Sequence, residues 1–248
     1  MGTATQTIYG MHAVRVMLER YPERVHRVHL AVGRDDPRGR TLAELAQRQG
    51  RPLERIDAKA LQRLLGDVAH QGVAADITPL APWNEDQLLQ ALEGVHAPLL
   101  LALDGVQDPH NLGACLRSAD ACGALAVIVP RDRAAQLTAT VRKVAVGAAE
   151  TTPVVSVTNL VRTLRLLKQA NLWVIGAEAA GAKRAQDADL KGSRVLVLGA
   201  EGSGLRRLTQ ETCDELVRLP QFGAVESLNV SVAAGMLLYE AVRQRGEP

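Results

Sequence analysis

The chain has 248 residues, 47% of them hydrophobic but only 2% aromatic, and a formal net charge of +2. That length suits two modest domains, and so few rings require an aliphatic core. They also exclude base stacking on aromatic platforms as the main nucleic-acid contact. Of the 29 basic residues only Lys59, Lys143, Lys168, Lys183 and Lys191 are lysines; the rest are arginines. Arginine's planar fork of donors suits phosphate. A genome rich in arginine codons gives the same skew, and near-neutral charge does not meet the criterion of a basic domain. Three cysteines cannot build a disulfide framework. No signal-peptide region opens the chain, and no run nears the ~18 apolar residues of a membrane span. A reduced, soluble, cytoplasmic protein is expected.

Residues 7–9 read as a lead-in. Residues 11–20 follow as an amphipathic helix with Val14, Met17 and Leu18 on one face. A strand is expected over 25–32, a turn-rich loop over 33–39 and a helix over 41–49 ended by Gly50. A short strand over 53–56, a helix capped by Asp57 and running to Leu65, and a strand over 72–77 complete an alternating α/β unit. Pro79, Pro82 and Pro98 bracket a segment read as a linker over 79–97, in which 84–93 has the length of a single helix. The domains are therefore expected at 1–78 and 98–248.

From Pro98 the pattern alternates again. Strands are expected over 99–103, 124–129, 154–157, 172–175, 194–198 and 215–219. Helices are expected over 111–122, 138–148, 159–170, 203–212 and 228–244. Continuous apolar runs such as Leu99 to Leu103 fit strands buried on both faces, and alternation with helices implies a parallel sheet. Cys115 and Cys122 are seven apart on one helix, share a face and read as small core residues, with no further ligands for zinc nearby.

Three stretches carry chemistry. In the first, a buried strand ends at Asp104 and a polar loop leads to Asn111 and, six residues on, Arg117. Ligands of open α/β sheets bind at such carboxyl ends. Asn111 either caps the helix or faces a site; Arg117 either pairs with Asp120 on the helix surface or faces a site. His110 has acid–base chemistry, but a loop histidine beside proline is more often incidental. The second stretch is Gly199-Ala200-Glu201-Gly202-Ser203-Gly204, spaced as G-x-x-G-x-G. It matches neither the dinucleotide fingerprint nor a nucleotide-triphosphate loop, yet its glycines permit close backbone approach. Glu201 is either a solvated turn residue or an acid at a site. The third is Leu219-Pro220 followed by Ser227-Leu228-Asn229-Val230-Ser231. Ser227 or Asn229 either caps the last helix or points donors at a ligand. That helix has a broad apolar face fit for the core or for a subunit interface.

Taken together, these stretches resemble the motifs of the SpoU (TrmH) family of RNA ribose 2′-O-methyltransferases, in the SPOUT superfamily. The family pattern pairs an Asn with an Arg six residues later, then Gly-x-Glu-Gly, then Ser-Leu-Asn-x-Ser. All of it stands here in order, with Gln107 and Glu226 at positions the family varies. Ile8-Tyr9-Gly10-Met11-His12-Ala13-Val14 and His70-Gln71-Gly72-Val73 resemble the family's small N-terminal substrate-binding domain. The likeness is greatest to members that methylate a guanosine ribose in the peptidyl-transferase loop of 23S rRNA.

The resemblance implies an α/β protein: a C-terminal parallel-sheet SPOUT domain with a deep trefoil knot, plus a small α/β N-terminal domain. Knots are nearly absent from proteins, so physical reasoning alone argues against one. It implies S-adenosylmethionine as co-substrate, against Gly199, Ala200, Gly202, Leu219, Pro220, Leu228, Asn229 and Ser231, with Gly199, Leu219 and Leu228 contacting it largely through backbone. It implies a catalytic set of Asn111, Arg117, Glu201, Ser227 and Asn229, no metal, a homodimer, and 23S rRNA or a precursor ribosomal particle as partner rather than DNA or membrane. The family assignment makes Arg117 a base, although an arginine side chain normally holds its proton above pH ~12. Either its setting changes that, or Arg117 orients phosphate and ribose while another group takes the proton. Members acting on tRNA, and an RNA-binding assembly factor without activity, are the rival readings; a nicotinamide oxidoreductase lacks its fingerprint.

Overall fold

In the computed structural model, residues 5–33, 36–68, 70–224 and 227–246 are described; Arg34 and Asp35 of the expected turn, Ala69 and Glu226 lie outside them. The chain divides into two units, Met1–Leu80 and Ala81–Pro248. The first holds strands β1 (Gln6–Tyr9), β2 (Val25–Ala31), β3 (Leu53–Ile56) and β4 (Val73–Ile77), with helices α1 (Met11–Arg20), α2 (Pro37–Arg48) and α3 (Ala58–Leu65). The sheet order is β1-β4-β2-β3, with β1 and β2 antiparallel to β4, and β3 parallel to β2. Val14, Met17, Leu18, Leu30, Leu42 and Ile77 are buried together in its core.

Two expectations for this unit need correcting. The lead-in at 7–9 is part of edge strand β1, whose only buried residue is Ile8, so it offers no apolar alternation to read. Helix α2 starts at Pro37 rather than residue 41. Asp36 accepts a hydrogen bond from the Gly39 amide at 2.7 Å, and Pro37 takes the first helical position, where a missing N–H costs nothing.

The segment 79–97 is more than a linker. The Trp83 amide donates to the Val154 carbonyl at 2.8 Å. Asn84 and Gln87 form a reciprocal capping box that starts α4 (Glu85–Leu92). Leu88 on that helix is fully buried in the second unit's core beside Leu100 and Val155. The prolines end regular structure but leave room for one amphipathic helix between them.

The rest of the second unit is β5 (Leu99–Asp104), α5 (Pro109–Ala121), β6 (Ala126–Pro130), α6 (Ala139–Ala145), β7 (Val154–Val157), α7 (Leu160–Gln169), β8 (Trp173–Ala177), β9 (Lys183–Arg184), β10 (Arg194–Gly199), α8 (Arg207–Thr212), β11 (Glu215–Arg218) and α9 (Val230–Arg245). The seven strands are all parallel, in the order β7-β6-β5-β10-β8-β11-β9. Successive side chains of a strand point to opposite faces. On one face Leu99, Leu101, Leu103, Leu196 and Leu198 meet apolar residues of α5, α6 and α9. On the other, Leu100, Ala102, Val195 and Val197 meet α4 and α7. All six residues of β5 are therefore buried. The helix expected over 138–148 stops at Ala145, because Val146 and Gly147 both adopt positive φ. The one expected over 203–212 starts at Arg207, after Gly202 and Gly204 turn the chain with positive φ.

Replacing a buried leucine by alanine costs about 2–5 kcal/mol. Leu88→Ala should lower the stability of the second unit by that amount, read by amide exchange along β5 and β7, and leave protection of β2 and β4 unchanged. Unchanged protection in β5 and β7 would show that 85–92 is a free linker.

Candidate active site

The strand order reverses direction beside β5: the chain moves one way through β6 and β7, then returns to the other side for β8 and β10. The helix after β5 lies on one face of the sheet, and the packing of Leu205 just before α8 puts that connection on the other. A crevice at the carboxyl ends of the strands follows from this arrangement. Asp104 and Gly199, the last residues of β5 and β10, are register partners there.

The Gly-rich loop after β10 folds back on itself. The Gly204 amide donates to the Ala200 carbonyl at 3.0 Å. A Cβ added at Gly199 would lie 2.0 Å from the Gly204 carbonyl carbon and 2.3 Å from the Leu205 nitrogen. Only glycine permits this approach, and the approach aims Glu201 across toward α5.

Three side chains, one from each motif, then close on one another. The Asn229 Nδ2 donates to Asn111 Oδ1 at 2.9 Å and to Glu201 Oε1 at 2.5 Å. The Asn111 Nδ2 also donates to Glu201 Oε1, at 3.2 Å. Asn111 is buried, and Asn229 is the cap residue of α9: its Oδ1 accepts from the Ser231 amide at 2.9 Å and the Ser231 hydroxyl at 2.6 Å. The capping reading of Asn229 holds, and its amino group binds the other two motifs. Asn111 does not cap α5. Asp108 does, accepting from the His110 amide at 3.0 Å, so α5 begins at Pro109 and Asn111 turns inward.

Glu201 also borders a cavity of about 350 Å³ beneath the loop. Gly199, Ala200, Gly202, Leu219, Ser227 and Leu228 line it, as do Leu198, Val230 and Ala233. Pro220 is not among its lining residues, and Asn229 and Ser231 stand beside it through Glu201 rather than in its wall. The sequence reading missed Glu178, which follows β8 and lines the same cavity. Its Oε2 accepts from the Leu205 amide at 3.3 Å and the Gln210 Nε2 at 3.1 Å. A more exact end for β8, at Ala177 rather than 175, places an acid at a strand's carboxyl end and is the signal that finds it.

Arg117 lies on α5, exposed, with no hydrogen bond or ion pair among the described residues. The pairing with Asp120 does not form. Asp120 accepts instead from the hydroxyls of Thr151 at 2.5 Å and Thr152 at 3.1 Å. His110 is exposed in the first turn of α5. Cys115 is buried, and burial pushes its thiol up to about 12, which suits a packing residue. Among the described residues no group of His, Cys, Asp and Glu is placed to hold a metal, and no helix is long and apolar enough to cross a membrane.

Gly199→Ala should cost about 1–3 kcal/mol through overpacking against rigid backbone. Gly223→Ala meets nothing within 4 Å and should cost nothing measurable. Thermal melting compares them, and a Gly199→Ala protein that melts like the parent would contradict the closed loop.

Residues 98–239 match the model of the SpoU rRNA Methylase family, and residues 7–83 match that of RNA 2′-O ribose methyltransferase substrate binding domains. The 23S rRNA (guanosine-2′-O-)-methyltransferase RlmB of Pseudomonas aeruginosa is 55% identical over 243 residues, 97% of this chain and 97% of its own length. RlmB of Escherichia coli is 48% identical over 241 residues, 97% of this chain and 99% of its own. The crystal structure of the SpoU methyltransferase AviRb from Streptomyces viridochromogenes, in complex with AdoMet, superposes with a TM-score of 0.74 at 23% identity, over 97% of this chain and 90% of that one; the likeness is one of fold. Fold, motif geometry and full-length relatives agree: the chain belongs to the SpoU rRNA methylase family.

Proposed function

We propose that the protein transfers a methyl group from S-adenosylmethionine to the 2′-oxygen of a guanosine ribose in 23S rRNA, within the peptidyl-transferase loop. The observation that carries this reading is the Asn111–Glu201–Asn229 triangle at the rim of the 350 Å³ cavity. The relatives at 48–55% identity support the substrate.

The cavity fits the donor. Leu198, Leu219, Leu228, Val230 and Ala233 give apolar walls for a flat adenine, and Gly199 and Gly202 leave backbone free to approach it. The carboxylates of Glu178 and Glu201 suit ribose hydroxyls and a sulfonium cation. The bound donor supplies an electrophilic methyl. The chain's own task is to place a ribose 2′-hydroxyl in line with it and to lower the cost of losing that hydroxyl's proton. Arg117 has no partner among the described residues to compete with a phosphate, so its fork is free to hold the target nucleotide. Asn111, Asn229 and Glu201 fix α5 against the donor loop, and Ser227 adds a hydroxyl in the cavity wall. In this reading Arg117 orients the phosphate and ribose rather than acting as a base.

The same reading includes a second copy of the chain. Val232, Met236 and Tyr239 form an exposed apolar stripe on α9 at spacings of four and three residues, and they are 50%, 46% and 66% exposed. A homodimer covers such a stripe. It also includes the trefoil knot, for which the crossed order β5-β10-β8 and the return of α9 onto α5 are the support. The first unit holds the RNA, and the protein works in the cytoplasm on rRNA or its precursor particle.

Labelled donor incubated with 23S rRNA, ribosomal precursor particles or tRNA should mark one guanosine ribose of 23S rRNA. Label confined to tRNA, or absent from every RNA, would overturn the reading. Arg117→Ala should lower methyl transfer on the order of a hundredfold or more, through lost positioning, while donor affinity stays unchanged. Arg117→Lys, which keeps charge and loses the fork, should fall between. Full activity of Arg117→Ala would remove it from the site.

A further inference from the structure

On the side of β5 away from β10, the carboxyl ends of β5, β6 and β7 open into a second crevice of about 630 Å³. It is larger than the donor cavity, and it too adjoins the point where the strand order reverses. Asp104 forms part of its wall. That carboxylate is 1% exposed. Its Oδ2 accepts from the Arg206 amide at 2.9 Å, but its Oδ1 has no hydrogen-bond partner. The nearest cation, the Arg206 Nε, stands 3.5 Å away on a side chain that is half exposed. A buried acceptor left without a donor is costly. Here it borders the crevice, and its ion-pair partner is the half-exposed Arg206 at the same wall.

The rest of the wall is complementary to a nucleotide. Arg133 comes from the loop after β6 and makes no ion pair among the described residues. Asn159 uses its Oδ1 to cap α7, accepting from the Arg162 amide at 3.0 Å, and its amino group has no acceptor among the described residues. Arg207 stands at the rim, paired with Glu211. The crevice thus offers the carboxylates of Asp104 and Asp132, an amide donor and guanidinium groups. Guanine presents the matching set: two donors, N1–H and the 2-amino group, beside the O6 acceptor, with a phosphate attached. Adenine has no N1–H or 2-amino donor and offers a carboxylate only its 6-amino group, not guanine's adjacent pair.

We propose that this crevice seats the guanine base of the target nucleotide, with Asp104 reading its donor edge, Asn159 its O6, and Arg133 and Arg206 holding phosphate. The inference rests on the methyltransferase reading above and names its base selectivity. Register supports it: Asp104 pairs with Gly199, a wall residue of the donor cavity. Neighbouring strands lie about 4.8 Å apart. The two spaces therefore open from neighbouring strand ends at the carboxyl edge of the sheet. Enzymes that act on a nucleotide taken out of its stack read its Watson–Crick edge in this way.

The test uses the full chain and a hairpin RNA spanning the target, with guanosine, inosine or adenosine at the methylated position. Inosine lacks only the 2-amino group. The parent protein should lose about tenfold or more in kcat/KM from guanosine to inosine. Asp104→Asn, which keeps an acceptor for the Arg206 amide, should methylate the guanosine RNA more slowly and with a guanosine-to-inosine ratio near one. Arg133→Ala should raise KM equally for all three RNAs. A parent protein that treats guanosine and inosine alike, or an Asp104→Asn protein that keeps the parent ratio, would overturn the proposal. Should Asp104→Asn fail to bind the methyl donor, photo-crosslinking of the parent protein to RNA carrying 6-thioguanosine at the target decides. Crosslinks within 130–133, 158–161 or 206–209 support the crevice, and crosslinks elsewhere refute it. Methylation of the guanosine RNA by the parent protein tests the underlying activity separately.

Discussion

A single carboxamide joins the parts of the second unit. Asn229 has two N–H bonds, and they reach Asn111 and Glu201, residues 118 and 28 positions away. Its oxygen holds the first turn of α9. Removing this side chain would uncap a 16-residue helix, release the Gly-rich loop and leave the buried Asn111 amide short of a partner. Of the three, Asn111 is buried while Glu201 and Asn229 are exposed, and a buried polar group costs most when its partner is lost. Here the geometry of the cavity, the start of α9 and the aim of α5 all depend on it.

The sheet makes this contact possible. Two central strands, β5 and β10, are buried on both faces, so their ends are fixed in register, and Asp104 and Gly199 come out side by side. From that pair the chain leaves toward opposite faces. The donor cavity forms on the β10 and β8 side and the larger crevice on the β5, β6 and β7 side. Arg206 links the two, because its amide and its guanidinium both address Asp104 just after the Gly-rich loop ends. A change at the loop is therefore felt in both spaces.

Much of this was legible in the sequence. The apolar runs at Leu99 and Val195 gave buried parallel strands, and the order and spacing of Asn111, Arg117, Glu201, Ser227 and Asn229 gave the family. What escaped has physical reasons. Asp-Pro was read as loop twice, at Asp36-Pro37 and Asp108-Pro109, though an N-cap followed by proline starts a helix in both places. That error kept a cap open as one reading of Asn111, which is a buried contact instead. The Arg117–Asp120 alternative does not form, and local spacing says nothing of Thr151 and Thr152, which bind Asp120 from 31 and 32 residues away. Glu178 carries no motif, and only the true end of β8 brings it to the cavity. The linker reading of 79–97 weighed the prolines and overlooked the capping box between them.

The central claim is that Asn111 and Asn229 act as one unit in holding the donor cavity, and a double-mutant cycle measures it most directly. Donor affinity would be determined by calorimetry for the parent protein, Asn111→Ala, Asn229→Ala and the double variant. The cap lost with Asn229 cancels in the cycle. The account predicts a coupling of about 1 kcal/mol or more, whereas effects that add within about 0.5 kcal/mol would contradict it.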